Sequence, residues 1–158
     1  MTTTNQGKLN TLYSQVPAGT PLTSQDLAAL GISADLAVHY VKAGWLTRLA
    51  RGVFCRPNEP PALHPSLLLL QRRLTGLHVG GKSALDWYGV RHYLSQLPTL
   101  TLYGWTAGRL PEWFTARFPA EYHRNRLFDE RPDTMLHVAA FEQRSGAPQV
   151  SAPERAML

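Results

Sequence analysis

Between Ser33 and Arg56 the spacing of apolar residues changes once, from a helical period to an extended one, and the change falls at a glycine. Leu36, Ala37, Tyr40 and Val41 recur at spacings of one, three and four, the stripe that a helix lays against a core. The pattern predicts a helix over Ala34–Ala43, with the Ser33 hydroxyl accepting from an unpaired amide of its first turn. Gly44 ends that helix, because glycine takes the left-handed C′ position without steric cost. Two strands are expected next, Trp45–Leu49 and Val53–Arg56, joined by a tight turn at Arg51-Gly52 and stopped by Pro57. Asp35, Val38, His39 and Lys42 are left on the outward face of the helix.

The residues before this stretch complete a recognisable order. Leu9, Leu12, Tyr13 and Val16 stand at helical spacing, and a second short helix is expected from Thr23, with Asp26 placed to close a capping box. Leu27 and Leu30 form its buried side, and Gly31 turns the chain towards Ile32 and the helix after it. Helix, helix, turn, helix and hairpin in succession predict a winged helix-turn-helix over residues 5–57. In that arrangement the outward helix face enters a DNA major groove and the wing lies on phosphates. Ser33, Val38, His39 and Lys42 are the candidates near bases, and Arg48 and Arg51 those on the backbone. The plain alternative is an ordinary helix and hairpin with a solvated face; the five elements in order favour the DNA-binding reading over it.

Composition agrees. A net charge of +5 over 158 residues favours a polyanionic partner, although many proteins carry as much. With 44% hydrophobic residues the chain can bury one good core or two small ones. A single cysteine, Cys55, cannot form an internal disulfide, and its place in a wing strand predicts packing rather than redox chemistry. The first ten residues lack the apolar run of a signal peptide, and Leu67–Leu70 is far too short to cross a bilayer. The expected location is the cytoplasm, with no membrane partner.

Pro57–Ala62, a proline-rich joint, predicts a boundary, and residues 63–158 a second domain of mixed α and β structure, so the fold class is α+β. Helices are expected from about Ser66 to Leu74, from near Lys82 to Gly89, and from Pro111 over Trp113 and Phe114. Extended segments are expected at Thr99–Tyr103, Tyr122–Phe128 and Met135–Phe141.

Gly76–Ser83 satisfies the spacing G-x-x-x-x-G-K-S of a phosphate-binding loop, in which backbone amides cradle phosphates while the lysine and hydroxyl serve the outer phosphates and magnesium. A nucleotide-handling enzyme with a winged helix attached is therefore the second functional reading. Such a loop must follow a buried strand, whereas Gln71–Thr75 has the composition of a helix end. A nucleotidyltransferase site would need two carboxylates at alternate positions of a following strand, and Asp86 stands by itself. Histidines 64, 78, 92, 123 and 137 show no metal spacing, so no cofactor, metal or catalytic residue is expected.

Four segments in order carry a family resemblance: Tyr40–Leu46, Arg48–Phe54, His78–Leu85 and Ser151–Ala156. Together they resemble the AbiEi antitoxin family of type IV toxin–antitoxin systems. The first two are shared by many winged helices; the Gly-Gly-Lys-Ser helix start and the Ser-x-Pro-Glu-Arg-Ala segment point to this family. The resemblance implies a winged helix that represses its own operon at inverted repeats in double-stranded DNA. It also implies a second domain that opposes a nucleotidyltransferase toxin, with no catalytic residues. Ser151, Pro153 and Glu154 have the composition of a capped helix start, so a helix is expected from there. Family members extend further, and the expectation is that these residues are part of a longer protein, with the segment after Ser151 frayed or held by docking.

Overall fold

Residues 3–90, 99–124 and 137–157 are described by the computed structural model of the chain. They fall into two units, Met1–Ser66 and Leu67–Leu158.

The first unit runs α1 (Thr3–Gln15), β1 (Leu22–Thr23), α2 (Ser24–Ala29), α3 (Ala34–Lys42), β2 (Thr47–Ala50) and β3 (Val53–Cys55). This is a winged helix-turn-helix. Leu9 and Leu12 of α1, and Val16 just after it, are buried against Leu27, Ala37 and Tyr40 of the other two helices, as the helical stripes predict. The helix boundaries are set locally. Thr23 accepts from the Asp26 amide at 3.1 Å, and the Asp26 carboxylate accepts from the Thr23 amide at 2.8 Å, which completes the expected capping box. At the end of α3, Gly44 has φ +80°, its amide donates to the Val41 carbonyl, and the Trp45 amide reaches the Tyr40 carbonyl at 2.8 Å. That paired closure also explains where the first wing strand starts. The Trp45 and Leu46 amides are both taken by Tyr40, so pairing begins at Thr47 rather than at Trp45.

β1 was not expected. Its two residues pair antiparallel with β3, giving the sheet order β1-β3-β2. β3 ends at Cys55, and Arg56 turns back onto α1. Its guanidinium donates to the Val16 carbonyl at 3.1 Å, lies 4.5 Å from the Tyr13 ring centre and pairs with Glu59 at 2.8 Å. The proline-rich segment belongs to this unit too, since the Ala62 amide donates to the Gly19 carbonyl at 2.8 Å. The division into units falls within the next helix, after Ser66, and not at the prolines.

The second unit continues through α4 (Leu63–Arg73), β4 (His78–Val79), α5 (Gly81–Trp87), β5 (Leu100–Gly104), α6 (Glu112–Thr115), β6 (Ala120–Arg124), β7 (Val138–Ala140), a 3-10 turn, β8 (Gln149–Ser151) and α7 (Pro153–Ala156). Its sheet has the order β6-β5-β4-β8-β7, with β5–β6 and β4–β8 parallel and the other two pairs antiparallel. Leu100, Leu102 and Gly104 of β5 face the core and alternate with half-buried neighbours, the period that the sequence shows. Of the expected strands at Tyr122–Phe128 and Met135–Phe141, Tyr122–Arg124 falls in β6 and Val138–Ala140 forms β7, while His137 is in a turn and Phe141 starts the 3-10 turn; residues 125–128 and 135–136 lie outside the described residues.

One expectation is corrected. Ser151 does not cap a helix but ends β8, paired with Val138, with its side chain buried. Ala152 takes the N-cap position of α7, and Pro153 occupies the first turn as foreseen. Sheet pairing overrides the local capping signal here. α7 packs on α5 of the same unit, so the segment after Ser151 is docked. Among the described residues, no helix is long and apolar enough to cross a membrane.

Candidate nucleic-acid interface

The geometry of α3 starts at its cap. The Ser33 hydroxyl accepts from the Leu36 amide at 3.3 Å, which sets the helix phase so that Ala37 and Tyr40 are buried while Asp35, Val38, His39 and Lys42 are exposed. The Tyr40 hydroxyl donates to the Asn5 carbonyl at 2.7 Å and pins the inner face to α1. All four outward residues predicted from sequence are therefore outward.

Beside α3 the wing turns at Arg51-Gly52, with Gly52 at φ +71°. Its tip is tied to α2, because the Ser24 amide donates to the Gly52 carbonyl at 3.1 Å. Arg48 and Arg51 are exposed, and the Arg48 Nε reaches the Ala50 carbonyl at 3.4 Å across an irregularity in the β2–β3 ladder. Between α2, α3 and the wing lies a groove of about 530 Å³. Four of the six predicted site residues, Ser33, Val38, Lys42 and Arg48, line it; His39 and Arg51 do not. Its apolar wall includes Leu27, Ile32 and Phe54, and no acidic side chain lines it.

Charge is distributed unevenly within this unit. Its basic residues are Lys8, Lys42, Arg48, Arg51 and Arg56, and the middle three sit on α3 or the wing. Of its acids, Asp26 is held in the capping box and Glu59 pairs with Arg56, which leaves Asp35 on the outer face of α3. Arg56 was missed as a positioning residue from sequence, since its backbone partners Tyr13 and Val16, at the end of α1 and just after it, lie 43 and 40 positions away. Cys55 is buried, and burial first, then Glu59, push its thiol pKa up, as suits packing rather than reactivity.

The glycine-rich segment of the second unit has a different geometry from a phosphate loop. It follows helix α4, and its middle residues His78 and Val79 form β4, so their backbone is committed to a sheet. The Ser83 hydroxyl, which would serve magnesium, instead accepts from the Thr101 amide at 2.8 Å and donates to the Thr99 carbonyl at 3.4 Å. Lys82 is exposed. The two distinctive motifs meet inside this unit. β4 pairs with β8 at Val79 and Val150, α5 packs on α7, and His78 and Arg155 are both buried, burial first and then the Arg155 charge lowering the imidazole pKa. Among the described residues, no group of His, Cys, Asp and Glu could hold a metal ion, and His92 lies outside them.

The first unit is thus a winged helix-turn-helix with an exposed helix-and-wing face carrying Lys42, Arg48 and Arg51, followed by a mixed five-stranded unit. Two family models cover nearly the whole chain: the transcriptional regulator AbiEi antitoxin N-terminal domain over residues 5–96, and the transcriptional regulator AbiEi antitoxin of type IV toxin–antitoxin systems over residues 98–158. The chain belongs to that family. No curated protein matches it. Among solved structures it is similar to the RV2827C protein from Mycobacterium tuberculosis, at 17% identity and a TM-score of 0.56. That likeness covers 99% of this chain and 59% of the other, and it speaks to the fold.

Proposed function

We propose that the protein is a DNA-binding repressor of its own operon and the antitoxin of a type IV system, acting in the cytoplasm. The observation that carries the DNA half is the α3–wing face: Lys42 and Arg48 line a groove with no acidic lining residue, and Arg51 is exposed at the wing turn. In this reading residues 5–57 bind duplex DNA, with Ser33, Val38, His39 and Lys42 near base edges, Arg48 and Arg51 on phosphates, and the Lys42 ammonium contacting mostly phosphate as well. Residues 63–158 supply the surface that opposes a nucleotidyltransferase toxin, a role that rests on the family alone. The buried hydroxyl of Ser83 and the strand inside Gly76–Ser83 weigh against nucleotide handling.

A gel shift with the DNA upstream of the gene tests the reading directly. Binding should weaken with salt, and each of Lys42→Ala, Arg48→Ala and Arg51→Ala should lower the log–log salt slope by about one while leaving sequence preference intact. A triple variant that binds duplex DNA as tightly as wild type across salt would remove this face as the DNA surface. His39→Ala separates base readout from positioning, since it should change operator preference more than random-duplex affinity. Growth rescue on co-expression with the adjacent toxin gene tests the antitoxin half.

A further inference from the structure

The side of α3 that lines the groove is less polar than its outward face. Ala34, Val38 and Val41 stand at i, i+4 and i+7 and all line the groove, Val41 half-buried against the core and Val38 51% exposed. Polar groups at the groove come from Ser33, Lys42 and Arg48, together with Ser24 at the start of α2. No Asn, Gln, Asp or Glu lines it, so the side chains that pair with adenine or accept from cytosine are missing from this strip.

In a major groove the one methyl group on any base edge is the C5-methyl of thymine. An exposed valine beside an alanine gains from covering such a methyl, and it has nothing to offer an amino or carbonyl group. The cations Lys42 and Arg48 line the same groove as Val38, so a polyanion held by them lies beside that valine. On these grounds, and resting on the reading of this face as a DNA surface, we infer that Ala34 and Val38 read thymine methyl groups. The preferred half-site carries thymine where the first two turns of α3 enter the groove.

Deoxyuridine, which differs from thymidine in lacking this methyl, provides the test. The tightest duplex selected from a randomised pool is remade with uracil at each thymine in turn, and affinities are measured for the full chain and for Val38→Ala. Wild type should lose about fourfold at one or two positions per half-site, the worth of a buried methyl. Val38→Ala should bind the thymine duplex more weakly and lose most of the difference between the two bases at the position that Val38 covers, with the difference at the Ala34 position retained. Because Val38 is exposed, the variant should melt as wild type does. Equal wild-type affinity for thymine and uracil at every position overturns the inference, as does full methyl discrimination by Val38→Ala. If no selected duplex binds better than random DNA, the repressor reading itself fails.

Discussion

The outer face of α3 and the start of α5 both carry polar residues that invite a functional reading, yet their side chains do opposite things. On α3, Asp35, His39 and Lys42 are exposed, and the hydrogen bonds that hold the helix come from Ser33 at its cap and Tyr40 on its inner side. On α5, the Ser83 hydroxyl is buried and occupied by the backbone at Thr99 and Thr101, and Gly80 is glycine because the Tyr103 ring lies against it. A distinctive motif can therefore record packing, while an unremarkable helix face is the one left available for a partner. What separates them is whether the polar atoms are already satisfied inside the fold.

The sharpest way to break this contrast is Gly80→Ala. Gly80 has φ −139°, which any residue adopts, so the cost is steric alone: the new methyl would lie 2.5 Å from the Tyr103 ring. That ring is held between His78 and His123, with centres 6.0 and 5.6 Å away, and has little room to retreat. The expected loss is about 1–3 kcal/mol, seen as faster amide exchange in β4 and β5 with α1–α3 unchanged. A second change, Tyr103→Leu, should recover part of it. Wild-type exchange in the single variant would show that Gly80 is not a packing glycine.

The same contrast explains what could be foreseen. α2 and α3 were legible because Thr23, Asp26, Ser33, Gly31 and Gly44 act on backbone groups within a few residues of themselves. β1, β4 and β8 were not, since they are two or three residues long and exist by pairing with distant strands. Ser151 shows the limit most plainly: a good local capping pattern lost to a ladder partner at Val138. At the candidate site the exposure of Val38, His39 and Lys42 followed from periodicity, whereas the groove did not, because Phe54 and Leu27 reach it only through the fold.

A local determinant should give a local response, and Thr23→Ala checks that. Removing the hydroxyl leaves the Asp26 amide without its acceptor at the start of α2 and should cost about 1 kcal/mol. Exchange in α2 should rise, with the second unit unaffected. An unchanged α2 would mean that β1 pairing, not the cap, holds the helix start.

A pH-dependent effect is expected in the second unit. Burial, and then the charge of Arg155, hold His78 below its ordinary imidazole pKa, against the hydrogen bond to the Gly76 carbonyl that favours the proton. The unfolded chain therefore binds the proton more readily, and stability should fall as pH drops below about 6.5 and continue to fall until the folded value is reached. Melting between pH 7.5 and 5.5 reads this. His78→Gln, which cannot titrate, should flatten the profile; an equally steep profile in that variant would assign the slope to another group.

The smallest effect is expected at Lys82, and it decides between the two meanings of the glycine-rich segment. In a phosphate loop the lysine is the residue whose loss abolishes nucleotide affinity. In this fold Lys82 sits exposed on the first turn of α5, next to a serine whose hydroxyl serves β5. Lysine near a helix start also meets the positive end of the helix dipole, so its replacement removes nothing favourable. Lys82→Ala should thus change stability by less than about 0.5 kcal/mol, with DNA affinity and toxin neutralisation unaltered. The measurement is a paired titration of wild type and variant with magnesium and ATP or GTP, followed by thermal shift. Micromolar nucleotide affinity in the wild type that vanishes in the variant would make the segment a binding site after all, and the contrast with α3 would collapse.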